Sequence, residues 1–358
     1  MRVLLVTNDY PPRPGGIQQY LAGLVAALGG DVRVLAPRDD EATADPAVRR
    51  GRRRFMWPTR RTRRWIAAEI AEFRPDVVLF GAPHPLAHAG PALRRETGVP
   101  YAVLCHGAEV TLPAAFPGLR RLVRYPLRRA DFLFGVSGFI AGRVRRLTHR
   151  EVVTLGAGVG PEFSPAAATP VTPVVGCVSR FVPRKGQRRV LRAAARLRAE
   201  GRPVEVLVVG RGRDEKALRR LADRLEVPTR FEVGVPYAAL PGLYREMTVF
   251  AMPCRSRWFG LEAEGFGIVY LEAAASGLPV VAGDSGGAPE TVEAGVTGFV
   301  VDGLDTLTQA LRLLLDDPDL GVRMGTAGAA RAARIYSWDA VLARLEEGLG
   351  GDATTGRS

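Results

Sequence analysis

Cysteine is scarce in this chain of 358 residues: Cys105, Cys177 and Cys254 each stand beside apolar neighbours, and no two form a C-x-x-C pair. That excludes a disulfide framework and a thiolate zinc site, and it reads the three as buried core thiols. Long apolar runs are missing as well. Residues 1–8 carry one arginine and a short apolar stretch, too brief for the hydrophobic region of a signal peptide. Nothing reaches the length of a spanning helix, so a cytoplasmic or peripheral protein is expected. His and carboxylate clusters at metal-ligand spacing do not occur, which argues for metal-independent chemistry. Asp317-Pro318-Asp319 has the form of a D-x-D metal motif but sits between a helix stop and a helix start, the place of a cap. A complete G-x-G-x-x-G is lacking too. Gly210-Arg211-Gly212 follows a strand-like run without a third glycine and reads as a tight turn, which weakens any dehydrogenase reading.

What is present is the composition of a globular chain, 47% hydrophobic and 24% charged, and long enough for two domains. Short β-branched and apolar runs alternate with helix-period segments, the pattern of βα units building parallel sheets. The predicted strands of the first half are residues 3–7, 32–36, 77–80, 102–105, 132–136 and 152–155. Their unbroken apolar character places them in a sheet covered on both faces. Residues 156–173, rich in Gly, Ala and Pro without a period, read as an interdomain hinge. Strands at 174–178, 204–209, 229–233, 249–253 and 279–282 predict a second doubly wound sheet, and the polar tail 351–358 is expected to fray.

Charge is unevenly spread. The formal net charge is +13, and residues 1–165, with 25 Arg against 14 Asp or Glu, account for +11 of it. The first half therefore meets something anionic. No helix-turn-helix, zinc-finger spacing or RNP-like aromatic motif supports nucleic acid as the partner. Residues 49–64 hold nine arginines and no acid, with Phe55, Met56 and Trp57 interleaved and Trp65 following. Such a run is commonly a solvated face, but arginine beside tryptophan is also the composition that anchors proteins at anionic membrane surfaces.

The most informative stretch is E-G-F-G-I-V-Y-L-E, residues 264–272. A Gly265-Phe266-Gly267 loop that opens a helix at Ile268 aims backbone N–H groups and a helix dipole at one point, which suits a diphosphate. Two turns of helix would separate Glu264 from Glu272 by about 12 Å. That is too far to act on one atom, so the pair is expected to hold opposite ends of a long ligand such as a nucleotide sugar. Arg180 and Lys185 follow the first strand of the second half, where doubly wound sheets bind ligands, and are expected to clamp phosphates. Lys185 is one of only two lysines among 50 basic residues, and an ammonium amid so strong a bias to guanidinium suggests a specific task. Near the start, Asn8-Asp9-Tyr10-Pro11-Pro12-Arg13-Pro14-Gly15-Gly16 follows the first strand, and its paired glycines let backbone approach a bulky ligand. His106, straight after a strand, stands where ligands gather, and His84, His88 and His149 are not read as so placed.

Together these motifs resemble the retaining glycosyltransferases of family 4, which have the GT-B fold, an α/β architecture of two Rossmann-like parallel-sheet domains facing across a cleft. The resemblance spans nearly the whole chain through V-L-L-V-T-N-D-Y-P-P-R-P-G-G-I-Q, S-R-F-V-P-R-K-G-Q, F-A-M-P-C-R-S-R, E-G-F-G-I-V-Y-L-E and A-G-D-S-G-G-A-P-E-T-V. Within the family it points to actinobacterial mannosyltransferases that extend phosphatidylinositol monomannoside from GDP-mannose. It implies an acceptor-side domain over 1–160, completed by a crossing helix at 336–350, and a nucleotide-sugar domain over 172–335. Gly15 and Gly16 would meet the donor diphosphate, Arg180 and Lys185 the leaving phosphate, and Glu264 a sugar hydroxyl. The amides of Gly267, Ile268 and Val269 would meet phosphate and sugar, Glu272 the ribose, Val235 the base and His106 the far edge of the sugar. Asp9, Tyr10, Arg60, Arg61, Arg63 and Arg64 would lie on the acceptor or membrane side. The resemblance further implies retention by front-face displacement, no cofactor beyond the donor, a glycolipid acceptor and a peripheral place at the inner face of the cell membrane. One departure is Gly156-Ala157-Gly158-Val159-Gly160, which lacks the acid of the family's proline-glycine-valine-aspartate. Other readings of the residues are a UDP-sugar transferase acting on a soluble metabolite, a sugar-nucleotide epimerase of the same fold, and a basic nucleic-acid-binding protein.

Overall fold

The computed structural model describes residues 1–167, 170–258 and 260–350; the tail expected to fray lies outside them. The chain divides into two compact units, Met1–Gly158 together with the chain from Trp338 onward, and Val159–Ser337.

In the first unit β1 (Val3–Val6), β2 (Val32–Ala36), β3 (Val48–Arg50), β4 (Val77–Phe80), β5 (Tyr101–Cys105), β6 (Phe132–Gly135) and β7 (Val153–Thr154) form one parallel sheet in the order β3-β2-β1-β4-β5-β6-β7. The runs VLLV of β1, VVLF of β4 and YAVLC of β5 are buried at every position, as crossover helices on both faces require. The helices are α1 (Gly16–Leu28), α2 (Arg60–Phe73), α3 (Gly90–Thr97), α4 (Ala108–Ala114), α5 (Pro117–Arg129) and α6 (Gly138–Thr148).

In the second unit β8 (Val174–Val178), β9 (Glu205–Gly210), β10 (Thr229–Val233), β11 (Val249–Met252), β12 (Val280–Gly283) and β13 (Gly298–Val301) form a second parallel sheet, ordered β10-β9-β8-β11-β12-β13. Its helices are α7 (Gln187–Ala199), α8 (Glu215–Arg224), α9 (Leu240–Arg245), α10 (Ile268–Ala275), α11 (Leu304–Asp316) and α12 (Pro318–Ile335). The last helix, α13 (Trp338–Gly348), packs in the first unit. Its Trp338 ring meets Tyr20 at 5.8 Å between centroids, and a Cβ at Gly23 or Gly158 would stand 2.0 or 2.1 Å from that ring. Val341 and Leu345 are fully buried, and Arg344 donates to the Leu155 carbonyl at 2.8 Å.

Two strands have no counterpart among those predicted. β3 reads Val-Arg-Arg, an edge strand held by backbone pairing with β2; backbone hydrogen bonds leave no apolar signature. β13, Gly-Phe-Val-Val, lies past the last predicted strand and pairs with β12. Cys105, Cys177 and Cys254 are all buried as free thiols. Asp317 caps α12, its carboxylate accepting from the Leu320 amide. In each sheet the strand order reverses once, at β1/β4 and at β8/β11. The loops leaving neighbouring carboxyl ends diverge there and open a crevice.

Candidate functional site

In the second unit the crevice is built by the loop after β8. A 3-10 turn, Pro183–Lys185, buries two cations, Arg184 and Lys185. Both aim at Glu264 Oε2, Lys185 Nζ from 2.7 Å and Arg184 Nη1 from 2.6 Å. Glu262 adds a second carboxylate 3.6 Å from Arg184. Burial by itself would raise the Glu264 carboxyl, but Lys185 and Arg184 overcome it and hold the group at about 2. The glutamate is fixed along its backbone as well: its amide donates to Ser285 Oγ at 3.2 Å and its carbonyl accepts from the Gly287 amide at 2.9 Å. Neither cation engages Oε1, so that oxygen is the one available to a ligand.

This geometry differs from the sequence expectation in two respects. Arg180 is exposed and is not brought onto Glu264; its backbone carbonyl is held by Gln187 at 2.8 Å. Arg184, which the sequence reading passed over, stands beside Lys185 in the cluster. Glu264 also lies in a loop, four residues before α10 begins, so the helical spacing of about 12 Å to Glu272 does not describe the pair.

Gly267 caps α10 with a φ of +92°, a left-handed conformation, and an added Cβ would stand 2.6 Å from the Tyr270 ring. Behind it the amides of Ile268 and Val269, both half-buried, belong to the first turn, whose N–H groups have no acceptor within the helix. One turn further on, Glu272 is buried and accepts from Tyr237 Oη at 2.9 Å and Tyr244 Oη at 2.8 Å. Burial pushes its carboxyl up to about 7, with the two tyrosines only partly opposing. Phe163 packs on both tyrosine rings, at 5.8 and 5.7 Å. Val235 is half-buried, two residues before Tyr237. Nothing in the sequence spacing of Tyr237 and Tyr244 from Glu272 marks them as its partners.

In the first unit the loops after β1, β4 and β5 meet. His106 is buried, its Nε2 is 3.0 Å from the Gly81 carbonyl oxygen, and its ring packs edge-on against Tyr20 at 5.4 Å. Burial lowers its pKa, while Glu109, the Gly81 carbonyl and Asp9 pull the other way. The Glu109 carboxylate accepts from the backbone amides of His106 and Gly107, a role legible only as an acid in the first turn of α4. Asp9 is raised chiefly by burial and accepts from Gln18 Nε2 at 2.9 Å. Tyr10 is buried. Gly15 lies against Gln18, whereas a Cβ at Gly16 would meet nothing within 4 Å, so the first turn of α1 is open to a ligand. His84, which the sequence reading set apart from ligand-bearing positions, also lies in the loop after β4.

The arginine-rich segment is more tied to the fold than a free basic face. Arg50 belongs to β3 and donates to the Pro11 carbonyl at 2.6 Å. Met56 is buried, with its backbone amide and carbonyl both bonded to the Asn8 side chain, and Trp65 donates to Glu69 at 3.0 Å. Arg63 pairs with Glu96 at 3.3 Å, while Arg60, Arg61 and Arg64 are exposed along the start of α2. Of the interleaved apolar residues only Phe55 and Trp57 remain exposed. Among the described residues no helix is long and apolar enough to cross a membrane, and no group of three or more His, Cys, Asp or Glu is placed to hold a metal ion.

Comparison with known proteins matches residues 14–163 to the family model Glycosyltransferase Family 4 and residues 164–331 to Glycosyl transferases group 1. The chain is 39% identical over 379 residues to the GDP-mannose-dependent alpha-(1-6)-phosphatidylinositol monomannoside mannosyltransferase of Mycolicibacterium smegmatis, covering 98% of each. It is 37% identical over 369 residues to the GDP-mannose-dependent monoacylated alpha-(1-6)-phosphatidylinositol monomannoside mannosyltransferase of Corynebacterium glutamicum, covering 96% of each. Among solved structures, sucrose-phosphate synthase from Thermosynechococcus elongatus superposes with a TM-score of 0.79 at 20% identity, over 97% of this chain and 98% of that one. Two Rossmann-like parallel-sheet units, these motifs and this identity over nearly the full length make the chain a member of the family 4 glycosyltransferases, enzymes that transfer a glycosyl group.

Proposed function

We propose that this enzyme transfers mannose from GDP-mannose to a phosphatidylinositol mannoside type glycolipid, with retention of configuration, at the inner face of the cell membrane. The observation that carries the reading is the buried Lys185–Arg184–Glu264 cluster beside the open first turn of α10, joined to identity over the full length of relatives so named. In this reading Glu264 Oε1 accepts a hydroxyl of the sugar. Lys185, Arg180 and the amides at Gly267, Ile268 and Val269 stabilise the diphosphate as charge builds on it, Glu272 receives the ribose, and backbone near Val235 meets the base. The sugar C1–phosphate oxygen bond breaks as the C1–acceptor oxygen bond forms on the same face, and the acceptor proton passes to the departing phosphate. His106 and the Gly15-Gly16 turn serve sugar and diphosphate as the family resemblance implies. Asp9, Tyr10 and the exposed Arg60, Arg61 and Arg64 serve the acceptor and membrane side.

The test incubates the protein with radiolabelled GDP-mannose, or with UDP-glucose, and an actinobacterial lipid extract. Label from GDP-mannose in a phosphatidylinositol mannoside is expected; label only from UDP-glucose, or only in water-soluble product, replaces the donor or the acceptor. Because Lys185 and Arg180 supply the positive charge on the leaving group, turnover is expected to persist in excess EDTA. Loss restored by magnesium or manganese would overturn that part.

A further inference from the structure

Among the described residues, four other than glycine have a positive φ: Arg74, His149, Glu226 and Trp258. Arg74 and His149 close α2 and α6, and Glu226 stands two residues past α8, places where a left-handed residue commonly ends a helix. Trp258 ends no helix. It is the bulkiest of the four, at a φ of +50°, in the loop that leaves the carboxyl end of β11 at the reversal of strand order. A bulky side chain is strained in that conformation, and such strain persists only where the surroundings impose it. Here they do. Arg257 and Glu262 exchange amide-to-carbonyl bonds of 2.9 and 3.2 Å, and the Leu261 amide donates to the Trp258 carbonyl at 3.1 Å. The Glu262 carboxylate lies 3.4 Å from Arg257 and 3.6 Å from Arg184, the partner of Glu264. Ser256 Oγ is 3.0 Å from Ser285 Oγ, which accepts from the Glu264 amide. The turn is thus anchored on the groups that hold Glu264.

Burial of the indole does not repay this strain. Trp258 is 59% exposed, and among the described residues its ring meets the Arg257 guanidinium, 5.0 Å from the centroid. A flat apolar ring kept in water on a loop of the crevice has a ligand of matching chemistry in a glycosyl-transferring enzyme. The C–H bonds on one face of a hexose ring form an apolar patch that packs on an aromatic plane, while the hydroxyls at its rim reach polar groups such as Glu264 Oε1. We propose that Trp258 is a sugar-stacking residue of the transfer reaction, held in a strained turn so that its indole packs on a hexose ring. The donor and the acceptor each offer such a ring. The inference rests on the proposed function only for the identity of the two sugars, both mannose in that reading.

Replacing the indole separates a ligand-binding role from a structural one. Trp258→Gly and Trp258→Asn both relieve the left-handed strain, so without ligand each should melt at or above the temperature of the parent. Isothermal titration with GDP-mannose and with GDP, and the KM for a short-chain phosphatidylinositol monomannoside, then identify the ring. If the donor hexose is stacked, Trp258→Gly binds GDP-mannose roughly tenfold more weakly and GDP as before. If the acceptor hexose is stacked, the acceptor KM rises by about the same factor and both titrations stay unchanged. Trp258→Phe, which keeps an aromatic plane, should recover most of whichever is lost. Melting several degrees below the parent in both strain-relieving variants, or unchanged affinity and KM throughout, would overturn the proposal. Equal loss for GDP and GDP-mannose would overturn it too, by putting the nucleobase on the indole. Failure of the parent to use GDP-mannose sinks the proposed function instead, and the same comparison between whichever nucleotide sugar the parent does bind and its free nucleotide decides Trp258 separately.

Discussion

Glu264 and Glu272 are both buried, yet their surroundings drive them in opposite directions. Glu264 has a folded pKa of about 2, below its ordinary 4.5, so it contributes stability above 4.5 that disappears as pH falls through about 2. Glu272 stands at about 7, above its ordinary value, so its contribution is complete below 4.5 and is lost as pH rises through about 7. Glu272→Gln should therefore gain thermal stability relative to the parent as pH rises from 4.5 to 7 and beyond. If the ionised carboxylate receives the ribose, GDP affinity of the parent should strengthen as pH rises through 7 while that of Glu272→Gln stays flat; isothermal titration at several pH values decides it, and parallel profiles would remove Glu272 from the donor site. At the other carboxylate, Glu264→Ala leaves Arg184 and Lys185 buried without their counter-charge, which costs about 3 kcal/mol or more, so stability falls with activity. Lys185→Ala is the cleaner probe because Glu264 keeps Arg184. Transfer should be lost with the fold retained, and wild-type-like turnover in a radiolabel assay would dissolve the site assignment. Of the three cations within residues 180–185, the sequence singled out Arg180 and Lys185 and gave no sign of Arg184. Which two turn inward is set by the 3-10 turn after β8, a backbone choice that side-chain identity does not encode.

At the scale of elements, the first turns of α1 and α10 each begin beside a glycine, for different reasons. Gly267 has a positive φ and a Tyr270 ring 2.6 Å from any added Cβ. Gly267→Ala should thus lower stability by about 1–3 kcal/mol through strain and crowding, visible as a depressed melting temperature without ligand. Gly16 has open space, so Gly16→Val should melt almost as the parent does and yet bind donor about tenfold or more weakly. Unchanged donor affinity in that variant would show that the opening of α1 serves no diphosphate. Both glycine motifs stood out in the sequence because a glycine-rich loop before a helix start is a local pattern. β3 did not, because an edge strand of Val-Arg-Arg is defined by pairing with β2 and by nothing in its own composition.

For the whole molecule, the decisive piece is α13, which lies more than 170 residues past the rest of its unit in the chain. Trp338 fills the space left by Gly23 and Gly158 and touches Tyr20, whose ring also packs on His106. Trp338→Ala should cost about 3–5 kcal/mol. Hydrogen exchange should accelerate in α1 and β6 while β9 and α7 keep their protection. Equal loosening of both units would contradict the division of the chain. Because Trp338 supports His106 through Tyr20, some loss of transfer should accompany the loss of stability.

The sequence by itself determined the α/β class, most strands of both sheets, the glycine-rich helix starts and the family, because each is written in short-range periodicity or in motifs of fixed spacing. Glu264, Lys185, Glu272 and His106 could be singled out because they stand just beyond strands or at a helix start, where parallel sheets put ligands. Only the tertiary structure decided that Arg184 joins Lys185 on Glu264, that Tyr237 and Tyr244 hold Glu272, and that Met56 and Trp65 are drawn into the fold. Apart from the Trp65–Glu69 bond within α2, these are contacts between residues 28 to 80 positions apart. They depend on how strands order and loops turn, and no local pattern of residues records that.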